Sequence, residues 1–345
     1  PAMLHSIPIL RAAAFLTLGL APLTALAQAD DYFKGRTLTI AVAGTAGSGI
    51  DTGARMISRH IGKYLPGHAG VRVELLPGAG GVRALEYLHS AAPKDGTYIG
   101  AFATGPILEP LISGRAAKYK TSDFTAVGAI ENDISFCITG DTSTIQTIDD
   151  ARSRETTVAG TGAASSTDIF PVVLNALMGT KFRVISGYIG TQETIMSIER
   201  GEVDGRCGWS WSSILSSRPQ WLRDKKLHFL LQLGLEKHPE VNAPLALDLI
   251  PDEAGRQMLR VLVAPQKITR PYLAPPGLPP DRAAQIRRAF LHAMQDEELQ
   301  AEFVKISGDK PSPTSGEDMQ KILNDIYATP PDVVERLKNT LNNIR

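Results

Sequence analysis

The sequence has no surplus of either charge. Its 36 lysines and arginines balance 36 aspartates and glutamates. Nothing in it grips nucleic acid or an anionic membrane non-specifically. It also has no long block of like charge, the usual mark of an interaction tail. Cysteine is scarce, with Cys137 and Cys207 the only two. A chain of 345 residues, 43% apolar, can bury a core without disulfides. Spacing alone leaves open whether the two thiols meet. No Cys/His cluster has metal-site spacing. The histidines, among them His60, His68, His89, His228, His238 and His292, are scattered and read as surface or packing residues. No metal and no cofactor is expected. After the first 30 residues, no apolar run approaches the length that spans a bilayer.

What is present begins with a leader. Met3 reads as the start, Arg11 supplies a positive charge, and Ala12 to Leu20 form a short apolar run. Ala25-Leu26-Ala27 fits a small-x-small cleavage site, with Ala27-Gln28-Ala29 as a second register. The run is too short to span a membrane comfortably. We expect secretion to the periplasm, cleavage near Ala27 or Ala29, and a soluble mature chain. No cysteine follows the site, so no lipid anchor is expected.

β-rich runs then alternate with glycine loops and helical spacing. Thr37 to Ala43 reads as a strand, Gly44 to Gly49 as a loop, and Ile50, Ala54, Ile57, Ile61 and Leu65 as one helix face. Val71 to Leu76, the loop Pro77 to Gly81 and a helix from Val82 repeat the pattern, and Tyr98 to Phe102 is a third strand. It recurs with the strand Thr156 to Ala159, the loop Gly160 to Ser166 and a helix from Asp168 with Pro171 in its first turn. Phe182 to Ile185, the loop Gly187 to Gly190 and a helix capped by Thr191 follow. Gly201 to Gly205 lead into another strand, and Leu227 to Leu233 is a further one. Repeated β-loop-α units define an α/β fold with mostly parallel sheets. Two clusters of them, changing segment near residues 131–140, imply two lobes. The tail is helical from Asp281, with a last stretch from Gly316 to Tyr327, and is expected to pack back on the first lobe.

Strand-to-helix loops rich in glycine gather backbone N–H groups and a positive helix end, which suits a carboxylate or phosphate. In open parallel sheets such loops lie at the carboxyl ends of strands, where ligands bind. Stricter motifs fail. Ile50 stands where a P-loop needs lysine, Ser165 takes the third glycine of a dinucleotide fingerprint, and Gly208-Trp209-Ser210-Trp211-Ser212 lacks the second glycine of a nucleophile elbow. A serine hydrolase using Ser210 is therefore a distant alternative to binding without catalysis. Trp209 and Trp211 follow the strand after Gly205 and serve either as lobe packing or as a pocket wall.

Taken together, these loops resemble a known family. The leader, Gly44 to Asp51, Pro77 to Gly81, Ala92-Pro93-Lys94-Asp95-Gly96-Thr97, Gly160 to Ser166, Gly187 to Gly190, Gly201 to Asp204 and Ala274 to Pro279 occur in the order found in the substrate-binding proteins of tripartite tricarboxylate transporters, also called Bug proteins. The resemblance implies a type II periplasmic-binding-protein fold: two α/β lobes with a ligand cleft between them. Lobe 1 would comprise 30–131 with 262–345, lobe 2 would comprise 132–261, and 1–29 would be the signal peptide. It implies a monomer that captures a small carboxylate, a dicarboxylate or aromatic acid, for membrane transporter subunits. A sensor or adaptor for a membrane receptor uses the same lobes and is the alternative. Carried over, the ligand residues are Thr45, Ala46, Gly47, Ser48 and Asp51 in one lobe. In the other they are Gly162, Ala163, Ala164, Ser165, Ser166 and Thr167, with Tyr188, Gly190, Thr191 and Asp204 nearby; Trp209 is a further candidate from its place after the strand alone. Ala43-Gly44-Thr45 stands where the family usually has a proline and an aromatic, which leaves the ligand's identity open.

Overall fold

A computed structural model describes residues 31–342 except 45, 113–117, 163–164, 189–190 and 309. The leader and Thr45, Ala163, Ala164 and Gly190 of the expected site lie outside the described residues.

The first elements are β1 (Thr37–Val42), α1 (Gly49–His60), β2 (Gly70–Leu75), α2 (Val82–Ser90), β3 (Tyr98–Ala101), α3 (Gly105–Ile112) and β4 (Thr125–Glu131). β5 (Ser135–Gly140) then opens a second sheet. It is followed by α4 (Ile148–Ser153), β6 (Thr156–Gly160), α5 (Ser166–Met178), β7 (Phe182–Ser186), α6 (Thr191–Glu199) and β8 (Gly205–Ser210). Next come α7 (Trp211–Ser217), α8 (Pro219–Arg223), β9 (Leu227–Leu233), α9 (Ala246–Leu249) and α10 (Glu253–Val263). The chain returns to the first sheet with β10 (Thr269–Ala274), then α11 (Pro280–Gln295), α12 (Glu297–Ser307), β11 (Thr314–Ser315), α13 (Gly316–Tyr327) and α14 (Pro331–Asn342).

The first sheet has the order β11-β4-β10-β3-β1-β2, and the second β7-β6-β8-β5-β9. β1 runs parallel to β2 and β3, and β6 parallel to β7 and β8. Helices cover both faces of the first sheet, which is why every residue of β1 but Thr37 is buried. Leu38, Ile40 and Val42 join the core beneath α1 and α11, while Ala41 and Ala43 face that beneath α2 and α13. Two chain crossings join the sheets. One is the short link from β4 to β5. The other brings the chain from α10 into β10, where Thr269 pairs with Glu131.

Cys137 on β5 and Cys207 on β8 form a disulfide between neighbouring strands. Sequence spacing left this pairing open. Two expectations change. α5 starts at Ser166, so Pro171 sits in the second turn, and its missing N–H removes the helical bond to the Thr167 carbonyl. The helical tail also continues past Tyr327. α14 buries Val333 and Leu337 against the core that holds Phe170, Leu174 and Met258 of the second sheet's helices. The tail therefore does not return wholly to the first sheet.

Candidate functional site

The loop from β1 to α1 is held together by Asp51. Ser48 caps α1, and its Oγ accepts the Asp51 N–H at 3.3 Å. The Asp51 carboxylate reaches back and accepts the Gly47 N–H at 2.8 Å, with Arg55 Nε on its other oxygen at 2.8 Å. Asp51 is 3% exposed. Burial pushes its pKa up, but the Arg55 and Gly47 hydrogen bonds and the Arg55 charge outweigh this, and the net shift is downward. Gly47 has φ +75, with open space where a side chain would project. Ala46 is exposed and Ser48 half-buried. Helix ends leave their first N–H groups without intrahelical acceptors. In α1, Ser48 takes that of Asp51, while those of Gly49 and Ile50 head the same end.

The loop from β6 to α5 repeats the device. Asp168, 2% exposed, accepts the Gly162 N–H at 3.1 Å, Ser165 Oγ at 3.1 Å and Thr167 Oγ at 3.0 Å. Its second oxygen accepts Ser186 Oγ at 2.6 Å. Thr167 Oγ also accepts the Thr161 N–H at 2.9 Å. Gly162 has φ +135 and open space around it, like Gly47. Ser166 is exposed at the start of α5. The neighbouring loop is tied to this one: the Gly187 and Tyr188 N–H groups donate to the Gly160 carbonyl at 3.1 and 3.2 Å. Tyr188 and Thr191 are half-buried at the entry to α6. The structure thus brings Gly162, Ser165, Ser166, Thr167, Tyr188 and Thr191 together, and Ala46, Gly47, Ser48 and Asp51 together.

Two expected residues are placed elsewhere. Asp204 precedes β8 at its amino end, away from the loops. Its carboxylate accepts the Thr157 N–H at 2.8 Å, Thr157 Oγ at 2.7 Å and Ser143 Oγ at 2.9 Å. Burial raises its pKa, these hydrogen bonds lower it more, and the group ties strands together. Trp209 is 1% exposed. It packs edge-on against Trp221 at 6.1 Å and donates to Ser213 Oγ at 3.1 Å, so it is core and no pocket wall. Trp211 is half-buried and lies over His238, ring centroids 4.5 Å apart. Ser210 Oγ caps α7 by accepting the Ser213 N–H at 3.3 Å, with Ser212 Oγ at 3.4 Å.

No local pattern in the chain foretells the link between the sheets. Arg270, second residue of β10, has φ +54, a conformation costly for a residue with a Cβ, by about 1–3 kcal/mol. Its guanidinium lies 3.7 Å from where a Gly49 side chain would begin, at the amino end of α1, and pairs with Glu131 at 3.3 Å. Burial raises the Glu131 pKa, and Arg270 opposes that. Two residues on, Asp133 accepts Ser212 Oγ beyond the carboxyl end of β8, and the Trp211 N–H donates to the Ile134 carbonyl at 2.9 Å. The crossing segment therefore touches the first loop's helix through Arg270 and the carboxyl end of β8 through Asp133. Such a pairing of residues far apart in sequence leaves no local pattern.

Elsewhere, His60 Nδ1 lies 3.4 Å from Asp296, and with Glu298 these side chains are close enough to share a metal ion. Lys63 already pairs with Asp296, and Tyr64 donates to it at 2.7 Å, so the buried carboxylate is occupied. Among the described residues, no helix is long and apolar enough to cross a membrane.

Strand-to-helix loops in two helix-covered sheets joined by short crossings define the architecture of two-lobed periplasmic binding proteins. Solved structures agree. A TctC solute-binding protein from Polaromonas superposes with TM-score 0.67 at 17% identity, covering 89% of this chain and 98% of its own. MatC from Rhodopseudomonas palustris with bound malate gives 0.55 at 18%, covering 89% and 99%. A second Rhodopseudomonas palustris protein, with adipate, gives 0.56 at 16%, covering 89% and 97%. The chain has the fold of these TctC-type solute-binding proteins. No family model and no curated protein matches it.

Proposed function

We propose that this chain is a periplasmic solute-binding protein of the tripartite tricarboxylate transporter type, which captures a small carboxylate and delivers it to membrane transporter subunits. The observation that carries the reading is the matched pair of loops. In each, a buried aspartate at the start of a helix holds a glycine N–H, and the glycine leaves open space before the helix end. A helix end with free N–H groups and a positive dipole suits an anion. The aspartates are the support, and the first-turn amides of α1 and α5, with Ser48 and Ser166, are the contacts. The fold's likeness to structures holding malate and adipate supports the same ligand class.

In this reading the first sheet with its helices, residues 30–131 and 262–345, forms one lobe. Residues 132–261 form the other, and the crossing at Glu131, Asp133 and Arg270 is the hinge. α14, packed on α5 and α10, would carry the end of the chain to the second lobe. The protein acts as a monomer without cofactor or catalysis. Calorimetric titration with aliphatic dicarboxylates, aromatic acids and amino acids tests it. Saturable binding of a carboxylate, lost in Gly47→Val and Gly162→Val, is expected. Binding of none of them would refute it.

A further inference from the structure

Arg270 holds its charge in an unfavourable place. It lies in the crossing strand β10 with φ +54, which glycine adopts freely and other residues avoid. Its side chain runs along α1 toward that helix's amino end. Gly49 and Gly53, four residues apart on α1, share a face and leave the groove in which it lies. Its Cδ is 3.9 Å from where a Gly53 side chain would begin. Its Nη2 and Nε are 3.7 and 3.8 Å from where a Gly49 side chain would begin. The guanidinium therefore stands beside the first turn of α1, next to the capping residue Ser48. That end of a helix carries positive partial charge and repels a cation.

The carboxylates around it leave this charge only partly met. Among the described residues, the one carboxylate paired with Arg270 is Glu131, 3.3 Å from Nη1. Asp51, in the first turn of α1, already holds Arg55 and the Gly47 N–H. Asp133 holds Ser212 Oγ and the Ile134 N–H. The Glu131 side chain is 9% exposed and that of Arg270 is 33% exposed, so the arginine is fixed on one side and open on another. Nε and Nη2 lie on the Gly49 side. A guanidinium with two such nitrogens on one edge matches a carboxylate.

We propose that Arg270 is a ligand-contacting residue, so that the first loop recognises its ligand by a full positive charge as well as by backbone amides. This rests on the carboxylate-binding reading above. It adds a side chain whose charge separates an anion from a neutral molecule of the same shape. The bound carboxylate lies between the guanidinium and the amino end of α1 and offsets both positive charges. The unfavourable φ is kept because it directs the side chain along the groove.

The test is calorimetric titration of the whole protein with malate, adipate, succinate and benzoate, at low and high sodium chloride. Glycine suits φ +54, so Arg270→Gly removes the charge without adding backbone strain. In the wild type, affinity for the tightest of these probes should fall as salt screens the contact. Arg270→Gly should bind that probe at least about tenfold more weakly, the scale of one charge-assisted hydrogen bond, and with a flatter salt dependence. Arg270→Lys keeps the charge but not the fork, and should lie between. A cooperative melt checks that each variant is folded. If the glycine variant does not fold, the lysine variant decides by the same comparison. Wild-type affinity in the folded variant overturns the contact. So does weaker binding with unchanged salt dependence, which marks a structural role. A wild type that binds none of the four overturns the carboxylate reading itself.

Discussion

The buried carboxylate of Asp168 accepts the N–H of Gly162 at 3.1 Å, six residues back along the chain. The same oxygen accepts Ser165 and Thr167, and the other accepts Ser186. All these donors are neutral. The carboxylate thus organises the second loop by hydrogen bonds alone, across β6, α5 and the end of β7.

Asp168→Ala should strip four donors of one acceptor. A buried donor left unsatisfied costs about 1–3 kcal/mol. We expect the unfolding free energy from urea melts to fall by at least that much and carboxylate affinity to fall with it. Asp168→Asn, which can still accept but also adds donors, should lie between. Wild-type affinity in Asp168→Ala would separate this aspartate from the site.

Gly47 and Gly162 carry the same prediction by a different route. Both have positive φ and open space ahead of them. Valine at either position meets no protein atom but strains the backbone and projects into the space assigned to ligand. Folding should survive with a modest loss of stability, while binding measured by calorimetry should vanish. By contrast, Ser48→Ala removes one neutral hydrogen bond and should weaken binding by only about 0.5–1.5 kcal/mol.

Asp51 gives a pH signature. Its folded pKa lies below the ordinary aspartate value of 3.8. A depressed folded pKa means the proton binds the unfolded chain more tightly. The stabilisation is therefore complete above the unfolded value and lost as pH falls through the folded one. Melting curves between about pH 5 and pH 2 should show wild type losing stability faster than Asp51→Asn. Parallel curves would show that Asp51 does not hold the loop as an anion.

The disulfide between Cys137 and Cys207 closes a long stretch, 70 residues apart in sequence. Closing a loop of this size stabilises by about 2–5 kcal/mol, chiefly by restricting the unfolded chain. Reductant, or Cys137→Ala with Cys207→Ala, should lower the melting temperature accordingly. A mass increase of two alkyl groups on labelling the native unreduced protein would mean the thiols are free.

Local patterns made much of this legible. Leu227 to Leu233 is a strand and Gly316 to Tyr327 a helix, as their apolar spacing indicates. The three glycine loops do join strand to helix. The misplacement of Trp209 has a local cause. In a regular strand Cys207 and Trp209 would share a face, but Gly208 has φ +71 and the register to β5 shifts there. Cys207 therefore enters one core, and Trp209, with Arg206, faces the other. Asp204 follows the family pattern in sequence, yet it sits at the amino end of its strand, where bonds to Thr157 occupy it. α14, beyond the last helical stretch expected from the sequence, starts with Pro331 in its first turn. Asp168 looked like an ordinary first-turn acid. Its role, like those of Arg270 and Glu131, depends on contacts that only the folded chain makes.

Because Trp209 is core, Trp209→Ala should cost about 3–5 kcal/mol of stability through the cavity it leaves. In any fraction that stays folded, affinity for a carboxylate should be unchanged. A specific loss of affinity with stability intact would return the ring to the pocket.

The central claim is that the paired loops hold a carboxylate, and a thermal-shift titration tests it most directly. Malate, adipate, succinate, benzoate and a neutral sugar should be added to the purified protein over a wide concentration range. The account predicts that at least one carboxylate raises the melting temperature progressively, the underlying stabilisation reaching about 2.7 kcal/mol at a hundredfold excess over its dissociation constant. The rise should be absent with the sugar and abolished by Gly162→Val. No rise with any carboxylate, or an equal rise in Gly162→Val, would contradict it.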